Sequence, residues 1–245
     1  MNRLAGKVVL LSGGTRGMGE AAVRGIVAQG GQVVFGGRDT EAGGAIAASL
    51  GENAAFVPLD VRQEEDWARA VETAISRFGT LTGLVNNAGF AHSRRIEKIS
   101  MDEIQQIIAV NQIGVLLGMK HAVPAMKAAG IGSIVNIGSA ASVRAHPGLA
   151  IYGGAKAAVV GMTLAVASEL APHGIRVNVV HPGFFATRLL DESSRGVGRE
   201  MGVERTPMGR VAEPEEIVGT MVYLLSDDSA FVTGAQITVD GGLTM

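Results

Sequence analysis

The amino-acid sequence predicts an α/β fold, a single-domain, doubly wound parallel sheet of seven strands with helices on both faces. Short β-branched runs alternate with longer helical patterns along the chain. Most of these runs are apolar throughout, which is typical of strands buried on both faces. The chain has 245 residues, a length at which α/β folds often form one domain.

The predicted elements follow one another in a regular order. The strands are expected at residues 7–11, 32–35, 55–59, 81–86, 133–137, 176–180 and 236–239. The helices between them are expected at residues 18–29, 42–50, 64–78, 101–129, 152–171 and 214–226. Pro214 suits a first helical turn, and the His173-Gly174 pair suits a helix end. Residues 1–245 are therefore expected to form one domain.

One segment, residues 188–205, lacks this regular pattern because it is rich in charge and glycine. Two interpretations stay open for it. It is either a surface loop or a mobile lid over a substrate site, since long irregular segments in compact domains are usually functional or disordered.

Composition excludes several classes of function. The formal net charge of −2 argues against a nucleic-acid-binding protein, which would carry a basic stripe. The absence of cysteine excludes disulfides and thiolate chemistry, and it fits a reducing, cytoplasmic location. No apolar stretch reaches the roughly 20 residues of a membrane span, and no His or carboxylate cluster has metal-ligand spacing. We therefore expect no membrane, nucleic-acid or metal partner.

A glycine-rich turn follows the first strand, in the run Ser12-Gly-Gly-Thr-Arg-Gly-Met-Gly19. Gly13, Gly17 and Gly19 allow a tight turn and close approach of a pyrophosphate, while the following helix N-terminus supplies free N–H groups. No Gly-Lys-Ser/Thr follows, which excludes a Walker loop. A plain strand–helix turn is the alternative, but the context favours a Rossmann-like dinucleotide site.

The end of the second strand should contact the adenosine ribose. Gly37 stands where an acidic residue would bind the 2′-hydroxyl, and Arg38 follows it. Arg38 and Arg16 can pair with a 2′-phosphate, so NADP(H) is favoured over NAD(H). Asp39 opposes this preference unless it serves as the N-cap of the next helix.

Three further segments carry polar residues that, together with the glycine-rich turn, match the motifs of a known family. Asn86-Asn87-Ala88-Gly89 closes the fourth strand, Ser139 follows the fifth, and Tyr152 and Lys156 open a long helix. With the glycine turn, these segments closely resemble the short-chain dehydrogenase/reductase family over essentially the whole chain. The other matching positions are Asp60, Asn111, Pro182-Gly183 and Asp240-Gly241-Gly242. Ser12 stands where the family usually has Thr, and it keeps the hydroxyl.

The chemistry of Tyr152 and Lys156 also follows from their spacing. Four residues apart, they share one helix face, and a nearby ammonium would lower the pKa of a phenol. Tyr152 can then exchange a proton with a substrate oxygen while the cofactor supplies the hydride. The resemblance implies that Ser139 hydrogen-bonds the substrate oxygen, that Lys156 also holds the nicotinamide ribose, and that Asn111 supports a proton relay.

The expected binding residues extend beyond this set. For the cofactor they are Gly13, Thr15, Arg16, Gly17, Met18, Gly19, Arg38, Asp60, Val61, Asn87, Ala88, Gly89, Tyr152, Lys156, Pro182, Gly183, Phe185 and Thr187. For the substrate they are His146, Leu149, Phe184 and Leu189. The apolar members of this set, together with Leu190, form a wall that favours a bulky, apolar ketone or alcohol. Ser142 is a rival of Ser139, and His181 is expected to be structural.

Two questions about partners and activity stay open at this point. The helices at 101–129 and 152–171 are apolar on more than one face, which predicts a homotetramer or a large monomer core. The favoured activity is an NADP(H)-dependent secondary-alcohol dehydrogenase or ketone reductase resembling bacterial hydroxysteroid dehydrogenases. A 3-oxoacyl-carrier-protein reductase is the alternative, with Lys120, Lys127 and Arg176 as its docking patch. A non-catalytic NAD(P)-binding regulator is the third possibility.

Overall fold

The computed structural model describes residues 2–194 and 196–245. Seven strands form one parallel sheet in the order β3-β2-β1-β4-β5-β6-β7, which confirms the predicted fold class. The strands are β1 Val8–Ser12, β2 Gln32–Gly37, β3 Ala54–Pro58, β4 Gly83–Asn86, β5 Gly132–Ile137, β6 Ile175–Pro182 and β7 Gln236–Val239. Every strand lies within two residues of its predicted bounds. The largest differences, of two residues each, are at the carboxyl ends of β2 and β6, which continue toward the site, and at the amino end of β4.

Helices connect the strands on both faces of the sheet. They are α1 Gly17–Ala28, α2 Thr40–Leu50, α3 Glu64–Phe78, α4 Met101–Ile108, α5 Gly114–Ala129, α6 Ala150–Leu170, α7 Arg188–Ser193, α8 Gly198–Arg205 and α9 Val218–Leu225. Short 3-10 turns supplement them, and one of these, Pro214–Ile217, carries Pro214 in its first turn as predicted.

The core divides into two apolar layers, one on each side of the sheet. Trp67 of α3, Met119 of α5 and Val159 of α6 belong to one fully buried cluster. Val23 of α1 and Met221 of α9 belong to the other. Because both faces are covered, the strands can be apolar throughout, which explains the continuous hydrophobic runs in the sequence.

The strand order reverses at β1, which lies between β2 and β4. In open α/β sheets, ligands bind outside the carboxyl ends of the strands at such a switch point. Ser12 lies opposite Gly36 and Asn86 in the register, so β1, β2 and β4 end at one level. The loops that follow them therefore meet at one edge of the sheet.

The predicted helix 101–129 is interrupted, which corrects the expectation of one continuous helix. A π-helical segment, Ala109–Ile113, separates α4 from α5. Within it the Asn111 side chain donates a hydrogen bond to the carbonyl of Ile107 at 3.0 Å. A π-bulge inside an α-helix is rare and is often found at a functional site.

The segment 188–205 is also more ordered than expected. It contains α7 and α8, and Arg195 within it lies outside the described residues. Thr187 caps α7 by accepting a hydrogen bond from the Leu190 amide. The buried residues of α8 are Gly198 and Gly202. Because glycines rather than large apolar side chains face inward, the helical period was not visible in the sequence.

Two helical stretches, Met101–Ala129 and Ala150–His173, are long and apolar enough to cross a membrane by length and composition alone. Core helices of globular proteins meet the same criterion. Here Met126 and Leu170 are buried against the sheet, and the polar Asn111 and Lys156 are buried with them.

Candidate active site

A phosphate cradle forms where β1 turns into α1. No side chain caps the N-terminus of α1 in the described structure, so its first N–H groups face an open crevice. A Cβ added at Gly19 would overlap the carbonyl oxygen of Gly13, and one at Gly13 would lie 2.8 Å from the Ala88 Cα. Gly17 has a positive φ of 55°. The turn is therefore tight and open at the helix end, which fits a pyrophosphate.

The turn is held against the loop after β4 by two polar side chains. Asn87 Nδ2 donates to the carbonyls of Ser12 at 3.1 Å and Gly13 at 3.0 Å. The Ser12 hydroxyl accepts from the amides of Asn87 and Ala88, both at 3.2 Å. Ser12 thus performs a bridging role that needs only a hydroxyl, so its departure from the usual Thr costs no bond.

The ribose end of the crevice is rich in arginine. Arg16 and Arg38 are exposed, line the crevice, and form no ion pair with any residue that the structure describes. Gly37 packs close to Thr15, since an added Cβ would lie 2.8 Å from the Thr15 Cγ2. A larger residue at position 37 would therefore have to displace that side chain.

Two carboxylates in this region are already engaged. Asp39 Oδ1 accepts from the Ala42 amide at 3.0 Å, so Asp39 is the N-cap of α2, the role considered for it from the sequence. Asp60 accepts from Arg62 Nε at 2.9 Å, and this bond lowers the pKa of Asp60. Arg62 lines the crevice and was missed in the sequence analysis. The sequence feature that could have indicated Arg62 is its position two residues after Asp60, which was already expected to contact the cofactor.

Lys156 and Asn111 lie close together beneath Gly89. A Cβ added at Gly89 would lie 2.7 Å from Asn111 Oδ1 and 3.4 Å from Lys156 Nζ. Lys156 is 2% exposed, its ammonium donates to the Ile137 carbonyl at 2.7 Å, and burial lowers its pKa to about 8. Both groups are thus positioned by bonds to backbone carbonyls at the ends of neighbouring elements.

Asn111 is fully buried and lines neither the crevice nor the neighbouring cavity. Its amide donates to the carbonyls of Phe90 at 2.9 Å and Ile107 at 3.0 Å, and its Oδ1 accepts from the Phe90 amide at 3.3 Å. Asn111 is therefore not positioned to contact a bound ligand directly. The residue joins the π-segment to the loop after β4, next to Lys156.

Tyr152 and Ser139 face a second, larger cavity that adjoins the crevice. Burial raises the pKa of Tyr152, and a hydrogen bond with the Ser139 side chain opposes this effect. The four-residue spacing from Lys156 predicts instead that the neighbouring ammonium lowers this pKa. That expectation is wrong for the protein alone, because the cost of burying a phenolate is the larger effect.

Two further polar residues, Ser142 and His181, lie next to Ser139 but do not line the cavity. Ser142 donates from its hydroxyl to the Ser139 carbonyl at 2.6 Å and does not line the cavity. His181 is fully buried, and its Nδ1 lies 3.3 Å from the Ser139 amide nitrogen and 3.1 Å from Ser142 Oγ. Burial lowers the pKa of His181. Of these three residues, Ser139 lines the cavity, and the other two support its loop.

The cavity has a volume of about 970 Å³. The four residues expected to contact substrate, His146, Leu149, Phe184 and Leu189, all line it. Every residue expected to contact the cofactor lines the crevice or the cavity. Leu190, expected in the apolar wall, also lines the cavity. Lining residues that were not predicted from the sequence are Arg94, Arg95, Lys98, Met201, Arg205 and Leu243. They lie in irregular loops, short turns or α8, where no motif indicated them.

The three basic residues considered as a docking patch do not lie together. Lys120 of α5 pairs with Glu64 of α3 on one face of the sheet. Arg176 donates to the carbonyls of Leu224 at 2.8 Å and Ser226 at 3.2 Å on the opposite face. The sheet separates them, so this patch is not formed. Among residues 2–194 and 196–245, no group of three or more metal-ligating side chains occurs either.

Comparison with known proteins identifies relatives along the whole chain. A family model described as Enoyl-(Acyl carrier protein) reductase matches residues 13–244. The 3-alpha-(or 20-beta)-hydroxysteroid dehydrogenase of Mycobacterium tuberculosis is 46% identical over 240 residues, which cover 98% of this chain and 90% of that protein. The NADP-dependent (R)-specific alcohol dehydrogenase of Lentilactobacillus kefiri is 38% identical over 248 residues, with 99% and 98% coverage.

A solved structure agrees with these relatives. The 3-ketoacyl-(acyl-carrier-protein) reductase of Brucella melitensis, complexed with NADH, superposes with a TM-score of 0.93 at 34% identity and covers 98% of this chain and 99% of that one. The matches extend over the glycine turn, the sheet and the cavity. The chain therefore belongs to the short-chain dehydrogenase/reductase family, and it is an NAD(P)-dependent oxidoreductase that acts on alcohols and ketones.

Proposed function

We propose that this protein is an NADP(H)-dependent dehydrogenase/reductase that interconverts a bulky secondary alcohol and its ketone, with Tyr152 as general acid/base. The observation that carries this proposal is the opening of Tyr152, Ser139 and Lys156 into a cavity of about 970 Å³. Phe184 and Leu189 form part of its apolar wall. A steroid or alicyclic ring suits such a wall. Relatives named as dehydrogenases of hydroxysteroids and of trans-4-hydroxycyclohexanecarboxylate support this size class.

Each catalytic group has a task that its environment supports. The nicotinamide, when bound, exchanges a hydride with the substrate carbon. In reduction, the Tyr152 phenol donates its proton to the ketone oxygen, and the Ser139 hydroxyl holds that oxygen. The raised pKa of Tyr152 keeps the phenol protonated at neutral pH, as reduction requires. The Lys156 ammonium, held by the Ile137 carbonyl, favours the phenolate that forms.

The preference for NADP(H) rests on charge at the ribose end. Arg16 and Arg38 are exposed on the crevice without an ion partner in the described structure, and Asp39 is occupied as a helix cap. A 2′-phosphate would gain charge-assisted hydrogen bonds from the two guanidinium groups. The relative from Lentilactobacillus kefiri is named as NADP-dependent.

Three further features belong to the same proposal. Residues 188–205 act as a lid, because Leu190 and Met201 line the cavity from α7 and α8.

The protein is a cytoplasmic homotetramer that associates through helices 101–129 and 152–171. Ile113, Leu116 and Leu164 on these helices are between 45% and 47% exposed, and association would bury them. Sedimentation of wild type and Leu116→Glu tests this point, and a monomeric wild type would contradict it.

The decisive experiment follows nicotinamide absorbance with NADPH or NADH against a panel of ketones. The panel runs from cyclohexanone through 3-ketosteroids to a β-ketoacyl thioester. Turnover of bulky ring ketones with NADPH is expected. A preference for NADH would contradict the role given to Arg38, and turnover of the thioester alone would contradict the ring-ketone substrate.

A 3-oxoacyl-carrier-protein reductase is the second candidate, favoured by the similarity to the Brucella melitensis structure. It would need another docking surface, because Lys120 and Arg176 lie on opposite faces of the sheet. A purely regulatory protein would not need Tyr152 and Lys156 in the cavity wall. Turnover of any ketone in the panel would dismiss that third alternative.

A further inference from the structure

The cavity next to Tyr152 is charged as well as apolar. Its described lining includes four basic side chains beyond Lys156, and it includes no Asp or Glu. The four are Arg94, Arg95, Lys98 and Arg205. The chain as a whole has a formal net charge of −2, so the excess of basic residues in the cavity does not follow from the overall composition. The excess of basic over acidic lining residues favours a positive potential in the cavity.

Arg94 holds the loop after β4 in place, and its charge is paired with that of Glu103. Its Nε donates to Glu103 Oε1 at 2.9 Å, and its amide donates to the Gly148 carbonyl at 2.9 Å. Gly148 has a φ of 84°, and a Cβ there would lie 2.6 Å from Ser93 Oγ. The two loops therefore fit closely against each other. This contact fixes the backbone from which the next basic residues project.

Arg95 and Lys98 follow at the two ends of a single 3-10 turn, Ile96–Lys98. Their backbones are joined, since the Lys98 amide donates to the Arg95 carbonyl at 2.9 Å. Both side chains are exposed, and neither has an ion-pair partner in the described part of the chain. Glu97 lies between them in the chain but does not line the cavity, so this turn contributes two cations and no acid to the described cavity wall.

Arg205 supplies a third cation from a different segment, at the end of α8. It is exposed and likewise unpaired among residues 2–194 and 196–245. Its charge reaches into the cavity, because it adds to burial in lowering the pKa of His146. The lowered pKa favours the neutral form of His146, so the positive charge of the cavity comes from its arginine and lysine side chains.

We propose that the substrate carries an anionic group on the end remote from the reacting carbonyl, and that Arg95, Lys98 and Arg205 bind it. The inference rests on the proposed function and narrows it, from a bulky ring ketone to one with an acidic substituent. The apolar wall would hold the ring, and the cations would orient it so that the carbonyl faces Tyr152 and Ser139. A carboxylate on the ring and the phosphates of a coenzyme A thioester share this chemistry.

The test uses matched pairs of substrates that differ in charge. The first pairs are 4-oxocyclohexanecarboxylate and a 3-oxosteroid carboxylic acid, each with its methyl ester. The last pair is a β-ketoacyl coenzyme A and the same acyl group on neutral N-acetylcysteamine. With NADPH, kcat/KM should be about tenfold or more higher for the anionic member of at least one pair, as a charge-assisted bond implies. Which pair shows it identifies the source of the anion.

Variants then assign the effect to the three cations. Arg95→Gln, Lys98→Gln and Arg205→Gln should each lower the anion-to-neutral ratio of kcat/KM about threefold, and the triple variant should bring the ratio near unity. Added salt should lower the ratio in the wild type and leave it flat in the triple variant. Lys127→Gln removes an exposed lysine on α5 that has no ion-pair partner in the described part of the chain, and it serves as the matched control.

The outcomes separate the inference from the function beneath it. Equal kcat/KM for both members of every pair would overturn the anion site and leave the ketone reductase intact. A charge preference that survives in the triple variant would also overturn it. Failure to turn over either member of any pair, in the presence of either nicotinamide, would overturn the proposed function together with the inference.

Discussion

The cofactor crevice and the substrate cavity lie side by side at one edge of the sheet, yet they are built differently. The crevice is made largely of backbone, in short turns after β1 and β4 where glycines at 13, 19 and 89 allow close approach. The cavity is made of side chains on longer segments, including the loop at residues 90–99 and helices α7 and α8.

The two regions therefore differ in the amino-acid substitutions that they can tolerate. A site made of backbone depends on the few residues that permit its conformation, so a single methyl group can destroy it. A site made of side chains can change its preference without changing the fold, because loops on a rigid scaffold accept substitution. Reaction type should therefore be robust in this protein, while substrate choice should be easy to alter.

The largest effect is expected at Tyr152, where the two regions meet. Tyr152→Phe removes the proton donor, and turnover should fall by about a hundred- to ten-thousand-fold, as for other general acids. NADPH binding, followed by fluorescence titration, should stay near wild type because the phenol is not part of the phosphate cradle. Substantial residual turnover would contradict the assigned role.

The next effect tests the backbone-made crevice. Gly19→Ala places a Cβ on the Gly13 carbonyl, so the turn must open and the affinity for NADPH should fall at least about tenfold. Gly44→Ala is the matched control, since a Cβ at this helical position in α2 meets nothing within 4 Å. Calorimetric titration measures both variants. Equal affinities would show that the cradle adapts more readily than its geometry implies.

A smaller effect is expected where side chains extend the crevice. Arg38→Gln should weaken NADPH binding about tenfold through loss of a charged hydrogen bond to the 2′-phosphate. NADH lacks that phosphate and provides the internal control in the same assay. A parallel loss of affinity for both nucleotides would mean that Arg38 serves the adenosine in general rather than the phosphate.

The smallest effect concerns Lys156 and the stability of the protein without cofactor. Burial lowers its folded pKa from 10.5 to about 8, so between these values the unfolded chain binds more protons than the folded one. The free energy of unfolding should therefore gain about 1.4 kcal/mol per pH unit from this group as the pH rises above 8.

Urea unfolding at pH 7.5 and pH 9.5 measures this contribution. Lys156→Met should lose the rise, whereas Lys127→Met, at an exposed position, should keep it. Identical pH profiles for wild type and Lys156→Met would show that the ammonium is solvated better than its burial suggests. Tyr152 does not disturb this window, because its pKa is raised above 10.

Local patterns in the chain were sufficient for much of the molecule. The apolar runs identified all seven strands, and the glycines after β1 identified the cradle, because a tight turn at a helix N-terminus depends on neighbouring residues only. The four-residue spacing of Tyr152 and Lys156 placed them on one helix face for the same reason. The helix cap at Asp39 was equally readable.

What only the tertiary structure decided involves residues far apart in the chain. Burial, which depends on the whole fold, reverses the expected direction of the Tyr152 pKa. The sheet places Lys120 and Arg176 on opposite faces, and glycine-faced packing creates helices in 188–205. Arg95 and Arg205 line one cavity although they are 110 residues apart in the chain. Sequence periodicity reports the local conformation of each segment, whereas the charge of a cavity is a sum over segments that only folding brings together.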